Sequence, residues 1–81
     1  MDLISAAASM IITILGPSDP VVTSVPVSTM QECRKNMVAY VDEMPDMSVM
    51  RKTENTIVAE GMPVYAKMRV IVKCQTRNKP Q

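Results

Sequence analysis

Hydrophobic and polar positions alternate most regularly over Val64–Gln75, VYAKMRVIVKCQ. Ala66, Met68, Val70, Val72 and Cys74 fall on one side of an extended chain, and Tyr65, Lys67, Arg69, Ile71 and Lys73 on the other. Successive side chains of a strand point to opposite faces, so this stretch predicts a half-buried β-strand with a basic outer face. Ser9–Leu15 predicts another strand. Met10, Ile12 and Ile14 share one face, Ile11, Thr13 and Leu15 the other, and two apolar faces suit an inner position in a sheet. Gly16-Pro17-Ser18-Asp19-Pro20 then breaks the chain, because its prolines fix φ and offer no N–H to a ladder. Val21–Val27 returns as a strand that Pro26 either confines to an edge or ends at that point, which makes a hairpin with a five-residue loop.

At Ser28 the period changes. Ser28 with Gln31, or Thr29 with Glu32, has the capping-box spacing, in which a hydroxyl and a side chain three residues on satisfy each other's backbone N–H groups. Helical spacing holds from there to Met44. Met30, Cys33, Met37, Tyr40, Val41 and Met44 lie on one face, and Arg34, Lys35, Asn36, Asp42 and Glu43 mostly on the other. Pro45 stops the helix. Asp46–Asn55 has no clear period and is read as a loop leading to a short strand near Thr56–Ala59; a short second helix is the alternative. Gly61-Met62-Pro63 turns the chain into the long strand, and 76–81 reads as a polar, frayed tail. The fold class expected is α+β: a small antiparallel sheet of 3–4 strands with the helix Thr29–Met44 packed on one face, in one domain spanning 1–81.

Composition adds two constraints. The 81 residues include no Phe or Trp and two Tyr, so nine Met together with Val and Ile must fill the core. Met is flexible and specifies packing poorly, so a domain this small gains from a cross-link or a partner surface. Net charge is +1, but residues 61–81 carry Lys67, Arg69, Lys73, Arg77 and Lys79 and no acid, while all eight acids lie earlier. The apolar opening Met1–Leu15 is too short to span a bilayer. It has Asp2 where a secretory signal has a basic region, so 1–8 is read as a flexible or partner-contacting lead.

The cysteines give the sharpest expectation. Cys33 sits in the first turn of the helix on its apolar face, and Cys74 near the end of the long strand on its apolar face. If helix and strand run antiparallel, the two sulfurs meet, and a disulfide closing this loop contributes about 4 kcal/mol on the chain-entropy model. Two reduced thiols acting as small hydrophobes are the alternative. Other chemistry is sparse. There is no His, the commonest zinc ligand and general base, and no CxxC pair. Two glycines cannot build a phosphate-cradling loop, and Asp42, Glu43 and Asp46 have no base or nucleophile beside them. Neither an enzyme nor a cofactor is expected. Met44, Met47 and Met50 have a spacing that suits copper(I), although gap-filling Met in a Met-rich chain explains it equally. The basic positions Lys67, Arg69, Lys73, Arg77 and Lys79 could track phosphates, but Tyr65 is the one aromatic near them. A solvated, charge-protected sheet face is the plainer reading.

The layout of apolar strand, turn, VVTSVPVSTMQECRKN, helix and a last strand ending in Cys resembles a loose class of small phage and prophage proteins, on Val25, Thr29, Cys33 and Cys74. The chain departs from that class in having Val25 or Val27 where an aromatic usually precedes the helix. The resemblance implies a virus-encoded accessory or virion protein and no activity. The function expected is therefore a non-enzymatic protein-binding or assembly module that contacts a protein partner or itself. Leu3, Ile4, Met44, Met47 and Met50 are the candidate contacts, and a small nucleic-acid-binding regulator is the alternative. Virion or host cytoplasm fits this reading, and an extracellular or periplasmic site fits if the disulfide forms.

Overall fold

The computed structural model describes residues 7–62 and 66–76. Five strands, β1 (Ala8–Leu15), β2 (Val21–Val27), β3 (Met47–Lys52), β4 (Thr56–Gly61) and β5 (Met68–Thr76), form one antiparallel sheet in the order β2-β1-β5-β4-β3. The single helix among the described residues, α1 (Met30–Asp42), follows β2 at one edge and leads to β3 at the other. It thus crosses one face of the sheet, packing mainly on β5 and β1.

Each element follows from its sequence. β1 is apolar on both faces and lies second from the edge, paired with β2 and β5. β2 carries Pro26 and lies at the edge. The helix begins at Thr29, whose Oγ1 accepts from the Glu32 N–H at 3.0 Å, while the Ser28 hydroxyl donates to the Glu32 carboxylate at 2.6 Å. Thr29 is therefore the cap, and Ser28 steadies the residue that completes it. The expected apolar stripe faces the sheet: Cys33, Met37 and Val41 are buried, and Met30, Tyr40 and Met44 pack half-buried against the same core. The sheet contributes Ala8, Met10, Ile12, Val27, Ile57, Ala59, Val70, Val72 and Cys74. With no Phe or Trp, the core is filled by Met, Val, Ile, Ala and the two Cys, the largest fully buried side chains being Met37, Val70, Val72 and Cys33.

One expectation is corrected. Met47–Lys52 is a strand and not a loop, which raises the sheet to five strands. Its sequence hides this because the strand is an edge with a bulge. The register shifts between Val49 and Arg51, leaving Met50 as the extra residue, and only Met47 is even half-buried. A strand with so little buried surface needs no alternation. The turn that enters it holds Asp46 at φ 58°, the left-handed region that Asp tolerates better than most residues. No helix among the described residues is long and apolar enough to cross a membrane.

Candidate interaction surface

The helix start is anchored on three sides. Cys33 and Cys74 form a disulfide with their Cα atoms 6.0 Å apart, joining the first turn of α1 to the end of β5. Arg34 Nε donates to the Asn55 side-chain oxygen at 2.8 Å, and its guanidinium lies 3.6 Å from Glu54, tying the same turn to the β3–β4 connection. Asn55 in turn accepts from the Cys74 N–H at 2.8 Å, so strand end, hairpin turn and helix start meet at one point. The Cys33 sulfur also lies 3.6 Å from the Ser9 carbonyl oxygen; a disulfide sulfur has no proton to donate, so this is a packing contact. The pairing expected from two separate periodicities is the one observed.

The other expected residues divide. Leu3 and Ile4 lie outside the described residues, as do Tyr65, Arg77 and Lys79. Ala8–Leu15, the rest of the apolar opening, is an inner strand and offers little free surface. Met44 and Met47 pack against the core, and Met50, at 60% exposed, points to solvent. The three methionines are thus divided between core and solvent. Among the described residues no cluster of three or more His, Cys, Asp or Glu is placed to hold a metal. Lys67, Arg69 and Lys73 are exposed as expected, but Arg69 pairs with Glu60 on the neighbouring strand through Nε at 2.7 Å. The open face of the sheet also sets half-buried Ile11, Ile71 and Val58 between these charges, so the basic stripe is interrupted. An open pocket of about 240 Å³ lies beside it, lined by Leu15, Gly16, Glu60, Lys67, Met68 and Arg69; its Arg and Glu are already joined to each other.

The feature the sequence pattern did not single out is where the exposed apolar surface collects. Among the described residues the large exposed hydrophobics are Val21, Val22 and Val25 on β2, Val49 and Met50 on β3, and Met62 just beyond β4. Five of these six lie on the two edge strands. In the sequence β2 reads as an ordinary strand with one Pro, and only its place at the edge turns its valines into surface. The two edges are not equivalent. β3 carries Arg51 and Lys52 and a bulge, all devices that discourage strand addition. β2 has no charge, and none occurs between Asp19 and Glu32.

No protein-family model matches the chain, and neither a curated protein nor a solved structure matches it.

Proposed function

We propose that the protein is a non-enzymatic protein-binding or assembly module that works through the edges of its sheet. The observation that carries this reading is the concentration of exposed valine and methionine on β2 and β3, at the positions where a sheet also offers unpaired backbone groups. A sheet edge gives a partner strand main-chain hydrogen bonds for affinity and side-chain contacts for choice of partner. A helix tied by a disulfide to the central strand β5 holds that frame rigid from the far face. The resemblance to small phage proteins supplies a context, an accessory or virion component, in which such a module is useful.

The test is light scattering across a concentration series, on oxidised and on reduced protein, together with the double variant Val22→Lys, Met50→Lys. Both side chains are exposed, so the fold is expected to survive the change. Association that grows with concentration and is lost in the variant supports the reading. A strict monomer that binds no protein refutes it. Strong retention on a polyanion column that falls steeply with salt would instead favour the nucleic-acid regulator built on Lys67, Arg69 and Lys73.

A further inference from the structure

We infer that β2 is the two-fold contact of a homodimer, in which the β2 strands of two copies pair antiparallel about Thr23 and join two five-stranded sheets into one. This rests on the assembly reading above and names its partner as a second copy of the chain.

The backbone decides which groups are available. The Thr53 N–H donates to the Thr56 carbonyl at 2.8 Å, closing the β3–β4 hairpin, so Thr56 turns its backbone polar groups towards β3 and Ile57 turns its own towards β5. The bond from the Cys74 N–H to Asn55 agrees with this alternation. Carried through the unshifted registers of β4 with β5, β5 with β1 and β1 with β2, the same parity turns Val21, Thr23, Val25 and Val27 towards β1. Val22, Ser24 and Pro26 turn theirs outwards. Pro26 gives an independent check, since a residue without an N–H belongs on the solvent side of an edge. Beyond Val27 the regular ladder ends where the chain bends at Ser28, whose carbonyl accepts from the Ala7 N–H at 3.3 Å.

The free edge of β2 therefore holds the N–H and C=O of Val22 and of Ser24, bracketed by Pro20 and Pro26, which have no N–H. Antiparallel pairing about Thr23 sets Val22 opposite the Ser24 of the second copy and Ser24 opposite its Val22. All of these donors and acceptors are then matched, in four hydrogen bonds. Pro20 and Pro26 oppose each other at both ends and stop the ladder there. A shift of the centre to Val22 or Ser24 sets a carbonyl of this group against a proline nitrogen.

Side chains select the same register. Val21 and Val25 point to the helix side of the sheet and are 54% and 36% exposed. Pairing about Thr23 sets Val21 of each copy against Val25 of the other, with Thr23 facing Thr23 between them, and β-branched cross-strand pairs of this kind stabilise sheets. No charge lies on the strand to repel its copy. The β3 edge, with its bulge, Arg51 and Lys52, cannot offer an equivalent partner. The interface is small, so the dimer forms at high concentration and not at trace levels.

The test is analytical ultracentrifugation of the oxidised chain up to roughly 1 mM, the range a small interface calls for. The weight-average mass is expected to rise from 8.9 kDa towards twice that value. Thr23→Lys sets two like charges on the two-fold axis and is expected to weaken association more than about tenfold. Ser24→Pro, which removes an outward N–H and no intrachain bond, is expected to do the same, while Val49→Lys on the opposite edge leaves the dimer intact. Far-UV circular dichroism confirms that each variant is folded. A dimer indifferent to Thr23→Lys and Ser24→Pro overturns this interface while leaving the assembly reading in place. A wild-type monomer across the whole range overturns the homodimer, and the assembly reading then depends on binding to a different protein.

Discussion

At Gly61 the end of β4 runs so close to the turn between α1 and β3 that one methyl group does not fit. A Cβ there would enter the space of the Asp46 carbonyl and come within 2.8 Å of the Met47 sulfur. The backbone at Asp46 is already in the left-handed region, so the turn has little freedom to retreat. Gly61→Ala is expected to destabilise the protein by about 1–3 kcal/mol, the usual cost of overpacking, as measured by urea unfolding. The methionines make the complementary point, since one residue type serves opposite purposes here. Met37 is 1% exposed and fills the space under the helix, whereas Met50 is a bulge residue in solvent. Met37→Ala is expected to lower stability by about 2–5 kcal/mol, and Met50→Ala by less than about 0.5 kcal/mol, in the same unfolding experiment. Equal losses would contradict the division of the methionines between core and surface.

Among the elements, helix α1 and strand β5 are the pair on which the fold is hung, and the Cys33–Cys74 bond joins them end to end. The bond encloses a segment with a sequence separation of 41, so its loss frees about 4 kcal/mol of chain entropy in the unfolded state. Reduction, or the double change Cys33→Ala, Cys74→Ala, is expected to lower the melting temperature by on the order of 15–30 °C in calorimetry. A shift of only a few degrees would show that packing under the helix is sufficient without the link. These two elements were also the most legible in the sequence. Alternation over Val64–Gln75 and 3.6-residue spacing from Met30 to Met44 each mark one buried face and put a cysteine on it, although the strand itself starts at Met68 and the helix ends at Asp42. β3 was not legible, because a bulged edge strand with one half-buried side chain has no buried face to impose a period. Its trace lies in the two-residue turn Glu54–Asn55 between Thr53 and Thr56, a hairpin loop that requires a strand before it.

On the scale of the whole molecule, the helix closes one face of the sheet, and among the described residues the other face and the two edges stay uncovered. Sequence pattern alone placed partner contacts on the apolar opening and on Met44–Met50, since exposure cannot be told from burial in an apolar strand. The strand order β2-β1-β5-β4-β3 supplies the missing information: it sends Ala8–Leu15 inwards and, among the described residues, leaves β2 as an uncovered edge. β2 then combines three valines in solvent, an uncharged strand and a short backbone ladder bounded by prolines, a combination absent from the guarded β3 edge. The most direct measurement is an isotope-filtered nuclear Overhauser experiment on a concentrated mixture of carbon-13-labelled and unlabelled protein, which detects only contacts between copies. Pairing about Thr23 predicts contacts from the Val21 methyl groups of one copy to those of Val25 in the other, and from Thr23 to Thr23. Contacts between copies that involve Val49 or Met50 instead, or none at all, would contradict it.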